Sequence, residues 1–235
     1  MENNKIVQER GITMDSNRKT AIIVGVLFII ATVATIMSGV FFESIYDPDY
    51  LTAVSANENQ VLIGVLLMLT ATASLVAIPI MLFPILKKHN ESLALGYVGA
   101  RIFEGFFFVV VAISLLSILS LSQEFVNAVA PVASYFQTSG TLLLAVFDWS
   151  SILLDFPFAL SALILNYLYY KSKLIPRWLS VLGLIGGALM LATSPLHMFD
   201  LSPSLVYLAA PIGIQEMVLA AWLIVKGFNS SATAS

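Results

Sequence analysis

Apolar positions in this chain run in long unbroken stretches, and the polar residues gather at the joints between them. A hydrocarbon core of roughly 30 Å takes about 20 mostly apolar residues per helix, and six stretches are of that order, at approximately 20–42, 61–86, 93–121, 141–170, 179–196 and 205–225. Continuous runs are not the period-two pattern of a strand, and a sheet edge exposed to lipid would leave backbone groups unpaired. The pattern predicts an all-α polytopic membrane protein. Its bundle of six transmembrane helices would occupy residues 20–226, between polar tails at 1–19 and 227–235.

The joints carry boundary signals. Ser55-Ala56-Asn57-Glu58 fits a capping box and predicts that the second helix starts there. Ile175-Pro176-Arg177-Trp178 combines a first-turn proline, a cation and an interfacial indole, so the fifth begins at that point. Tyr167, Tyr169 and Tyr170 form an aromatic belt at the end of the fourth. Residues 122–139 read as the longest connection, lying partly on the membrane interface. The first apolar run follows Arg18 and Lys19 as a signal peptide's would, but it continues for about twenty residues, beyond the usual ~7–15, and is read as a retained helix. Met14 is an alternative start, which would make residues 1–13 a dispensable tail.

Composition sharpens this picture. Of 235 residues, 59% are hydrophobic and 11% charged, against about 25% charged in soluble domains. A net charge of −3 provides no basic field for nucleic acid. With no Cys and only His89 and His197, thiolate and most zinc sites are unbuildable, and neither a metal nor a cofactor is expected. Ten of the eleven Lys and Arg fall in the N-terminal tail, the second and fourth connections and the C-terminus, while the opposite connections carry only acids. By the positive-inside rule both termini are cytoplasmic, in the cell membrane.

The eleventh base, Arg101, lies inside a span with Glu104; Asp148 and Asp155 lie in the fourth and Glu216 in the sixth. Each costs at least about 2.5–3.5 kcal/mol at the bilayer centre on insertion scales, so each needs a partner, water or a proton. Glu104 and Glu216 fall near the midplane, Arg101 one turn inward, Asp155 somewhat outward, and Asp148 at the interface beside Trp149. Asp148, Asp155 and Asn166 fall on one helical stripe, and Ala209, Gly213 and Ala220 form a small-residue track beside Glu216. The candidate binding cluster is therefore Arg101, Glu104, Asp155 and Glu216, with Asp148, Asn166 and Gln215 as secondary candidates.

Other features read as packing. Prolines 79, 84, 157, 195 and 211 interrupt the spans, and Gly183-Leu184-Ile185-Gly186-Gly187 is a G-x-x-x-G match, a packing face within the monomer first and a homo-oligomer face second. No catalytic residue is assigned: the hydrolase elbow, zincin, P-loop and Rossmann patterns are missing. His197 and Asp200 sit together near the end of the fifth span and read as interfacial rather than catalytic.

Several polar-containing strings resemble a family of short prokaryotic membrane proteins, domain of unknown function 4386. They are Asn17 to Ala21, Met81 to Asn90, Arg101 and Glu104 after Gly96-Tyr97-Val98-Gly99, Tyr135-Phe136-Gln137 with Asp148-Trp149, and Ser172 to Ser180. The resemblance covers the first five helices and implies a bacterial or archaeal integral membrane protein with no assigned activity. The residues themselves lead to the expectation of a bilayer-embedded protein that binds a small solute or ion, exchanging protons with it. A scaffold or sensor subunit with structural charges is the alternative, and an intramembrane enzyme the third.

Overall fold

The structure is a computed structural model describing residues 2–128, 133–199 and 210–233. Among them there is no strand. Helix α1 covers Glu2–Phe41, α2 Tyr50–Ala56, α3 Glu58–Leu86, α4 Glu91–Asn127, α5 Ala133–Ser172, α6 Arg177–Met198, α7 Ala210–Val225 and α8 Ser230–Thr233, with a 3₁₀ turn at Glu43–Tyr46. Five segments are long and apolar enough to cross a bilayer: Ser16–Phe41, Glu58–Leu86, Glu91–Asn127, Ser134–Ser172 and Arg177–Met198. Helix α7 is apolar but shorter, 16 residues, and 205–209 of the stretch expected there lie outside the described residues.

Several boundaries differ from the sequence reading. The stretch 122–139 is not one long connection, because α4 continues to Asn127 and α5 begins at Ala133. Ser55 does not cap α3; it lies inside α2. The junction is Asn57, whose carbonyl accepts from the Gln60 and Val61 amides at 2.9 and 3.1 Å while its side chain donates to the Ala53 carbonyl. Helix α2 forms in an expected loop because Tyr50, Leu51 and Val54 share a buried face. A cap unmarked in the sequence reading starts α4: the Asn90 side chain accepts from the Leu93 amide at 2.9 Å. Pro176 is the residue before α6, with the Leu179 amide on its carbonyl.

By contact the molecule divides into two compact units, one of Met1–Ile29, Leu75–Ile102 and Asp155–Ser235, the other of Ile30–Ser74 and Phe103–Leu154. The first has a core built on Phe28, Leu82, Tyr97, Leu168, Tyr169 and Leu223. Its helix ends are tied together by backbone chemistry. Arg18 of α1 donates to the Leu223 and Ile224 carbonyls of α7 at 2.9 and 2.6 Å, supplying a cation where helix carbonyls run out of partners. The Asn229 amide donates to the Leu174 carbonyl in the turn between α5 and α6 at 2.9 Å. Gly227, at φ +74, lets the chain leave α7 beneath Arg18.

Close helix approach in this unit occurs at glycines. A Cβ on Gly186 would come within 2.8 Å of the Ile212 backbone of α7, and one on Gly183 would overlap the Asn166 amide of α5. The G-x-x-x-G face is thus occupied within the monomer. In the second unit Leu51, Val54, Val61, Leu115 and Ile118 are fully buried, and the Phe42 ring lies on Gly64. Large aliphatic side chains such as Ile36, Leu66, Ile113 and Leu142 are exposed by more than half. A surface of that kind is stable against lipid tails and not against water.

Candidate functional site

Arg101 of α4 and Glu216 of α7 form an ion pair at 2.8 Å. Arg101 is 3% exposed, and its guanidinium lies 5.8 Å from the Tyr97 ring centroid and 5.3 Å from that of Phe158. Tyr97 precedes Arg101 by one turn of α4, so the helix itself delivers that ring; Phe158 comes from α5. A guanidinium is planar and weakly hydrated, so two aromatic faces and one carboxylate replace much of the water it loses, which a lysine ammonium at the same place would not achieve.

Gln215, next along α7, turns about 100° from Glu216 and reaches different neighbours. Its amide nitrogen donates to Asn166 Oδ1 of α5 at 3.1 Å and points toward the Leu179 carbonyl of α6 at 3.5 Å. Asn166 in turn donates to the Ala162 carbonyl at 2.9 Å. Gln215 and Asn166 are at most 1% exposed, whereas Gln215 Oε1 and the Ser180 hydroxyl are buried without a partner among the described residues. Two consecutive polar residues of α7 thereby engage three other helices of the unit.

Glu104 is as buried as Arg101 and stands three positions along the same helix. Asp155 is half-buried and makes no hydrogen bond or ion pair among the described residues; the charged-type group acting on it is His197 of α6. Of the expected cluster, Glu216 is paired with Arg101, Glu104 lies one turn along the same helix, and Asp155 has His197 within electrostatic reach. Asp148 is exposed, in keeping with an interfacial position. Of the small-residue track beside Glu216, Ala220 is closely approached by Gly25 of α1, Gly213 faces open space, and Ala209 lies outside the described residues. Asp200, the expected neighbour of His197, lies outside them too. No group of three His, Asp or Glu among the described residues is arranged to hold a metal.

Sequence reasoning missed Tyr97 and Phe158 as partners of Arg101. The first was readable from the i, i+4 spacing, but the second needs knowledge of which helices adjoin.

The model of the family described as Domain of unknown function (DUF4386) matches residues 23–227, most of the chain. The chain belongs to the DUF4386 family. The match runs from the first span through Gln215 and Glu216 of α7, so both polar residues of that helix lie within the DUF4386 region. No curated protein and no solved structure matches the chain.

Proposed function

We propose that this DUF4386 protein is a six-span protein of the cell membrane with both termini in the cytoplasm. Its transmembrane domain spans residues 20–226, and its Arg101–Glu216 pair is the site at which a small anionic solute and a proton exchange. The span count draws support from the first unit. Asn229 bonds to the turn preceding α6, so α7 ends at the level where α6 starts and retraces the thickness α6 crosses. The orientation rests on loop charge: all eleven Lys and Arg belong to the first unit and none to the second.

The observation that carries the site is the buried Arg101 guanidinium paired with a carboxylate that keeps 14% of its side chain exposed. A solute anion taking the place of Glu216 on Arg101 releases that carboxylate to take up a proton. Anion and proton then enter together, and both leave when the pair reforms. Gln215, Asn166, Tyr97 and Phe158 hold the two helices in register.

Proteoliposomes with a lumenal pH dye test this against a panel of small carboxylates, phosphate and sulfonates, with protein-free vesicles as the baseline. The expected result is a solute-dependent proton flux that Glu216→Gln abolishes while the protein still folds. Silence of the unmodified protein across the panel overturns it. The second reading, a scaffold or sensor subunit whose charges only join helices, is favoured by the closed geometry of the pair, and it predicts that silence.

A further inference from the structure

The second unit holds two clefts that share Tyr46 in their linings. One, of about 240 Å³, is walled by Phe42, Met68, Phe108, Val111, Phe147 and Leu154. Its Ser38 and Ser151 hydroxyls donate to carbonyls of their own helices at 2.7 and 2.8 Å, so the wall presents mainly hydrocarbon and aromatic surface. The other, of about 500 Å³, is lined by Glu43, Asp47, Asn57 and Gln60 around the same tyrosine. The Tyr46 phenol is pushed above its ordinary range by loss of solvent and then by the Asp148 carboxylate, which therefore lies within electrostatic reach of that phenol. The unit as a whole contains seven carboxylates and no Lys or Arg.

An apolar slot and an acid-lined cleft that share one aromatic ring complement a molecule with an apolar tail and a positive head. We propose that the two clefts together bind an amphipathic organic cation, its tail among Phe42, Phe108 and Phe147 and its ammonium at Tyr46, Glu43 and Asp47. The tyrosine face attracts the ammonium through its ring quadrupole, and the acids supply the countercharge. A tail that leaves lipid for the slot exchanges one hydrocarbon surface for another, so selectivity lies in the head group. This site is independent of the Arg101–Glu216 reading and stands or falls separately.

The test uses the full chain in nanodiscs and three probes with one tail: decyltrimethylammonium, decyl sulfate and decanol, each corrected for binding to empty nanodiscs. The cation should bind about tenfold more tightly than the other two, the scale set by an ion–carboxylate and a cation–π contact. Gly39 lines the slot, and a Cβ there meets nothing within 4 Å, so Gly39→Leu is the variant chosen to add bulk at that wall. It should remove the cation's advantage at an unchanged melting temperature. Asp47→Asn should weaken the cation several-fold and leave decanol unaffected. Equal binding of the three probes means that hydrocarbon merely fills the slot, and overturns the proposal. So does a folded Gly39→Leu that binds as the unmodified protein does; should that variant fail to fold, undiminished cation binding by Asp47→Asn overturns it alone.

Discussion

At the scale of single residues, the energetic question is whether Arg101 and Glu216 hold the fold or merely tolerate burial. Removing one partner of a buried pair leaves an uncompensated charge and typically costs ~3–5 kcal/mol, while replacing both with apolar residues of similar volume is often neutral. Glu216→Leu should therefore lower stability by about 3 kcal/mol, the low end because Tyr97 and Phe158 remain against the guanidinium. Arg101→Met combined with Glu216→Leu should recover most of that loss. Thermal unfolding of the two singles and the double in detergent measures the coupling, and a double variant no better than Glu216→Leu alone would show that Arg101 matters through other contacts. The sequence made these positions legible because charge within an apolar run stands out, and helical depth put Arg101 and Glu216 within about a turn of each other. It gave no sign that His197 would lie within electrostatic reach of Asp155. A stripe computed on one helix assigns a face, but which neighbour that face meets depends on the packing of the others.

At the scale of elements, the glycines of the spans divide by what surrounds them. Gly186 faces the α7 backbone so closely that an added Cβ would stand 2.8 Å from Ile212 N and 2.9 Å from its Cα, and neither atom can swing aside as a side chain would. Gly99, in the third turn of α4, has nothing within 4 Å of the same position. Gly186→Ala should accordingly destabilise the protein by ~1–3 kcal/mol, the usual cost of overpacking, while Gly99→Ala should be neutral or gain up to ~1 kcal/mol from helix propensity. Melting temperatures of the two variants decide it; equal effects would mean that α6 and α7 do not pack as described. The G-x-x-x-G pattern was readable as a close-packing face, but not its partners, and Gly213, read in the same way, proved to face open space. Boundaries were legible where a proline enforced them, as at Pro176. They were missed where an amphipathic turn formed in a polar segment, as with α2, whose buried positions Tyr50, Leu51 and Val54 follow helical spacing within too few residues to read as an element.

For the whole molecule, the distribution of charge carries more than any single contact. Every Lys and Arg lies in residues of the first unit, and the second unit's charges are all acidic. Transmembrane runs are the easiest feature to read from sequence, since each must satisfy its backbone internally over the full hydrocarbon thickness; the last one is less plain, because its described part, α7, covers 16 residues, about 24 Å. Its ties settle on one expectation. Arg18 caps the C-terminal carbonyls of α7, and Asn229 bonds to the turn before α6, so the start of the first span, that turn and the chain's end share one level of the first unit. On the proposed six-span reading, a helix that ends at the level from which α6 departs returns across the bilayer. Reporter fusions should then place residues 8 and 230 on the cytoplasmic face and a tag inserted near residue 203 outside. Moving charge tests the cause as well as the count: replacing Lys171, Lys173 and Arg177 by Gln removes three of the inner cations, and if loop charge sets the orientation, a fraction of molecules should invert, raising externally accessible C-termini. A C-terminal reporter found outside in the unaltered protein would leave an odd number of crossings, and α7 would then lie within the first unit without traversing the membrane.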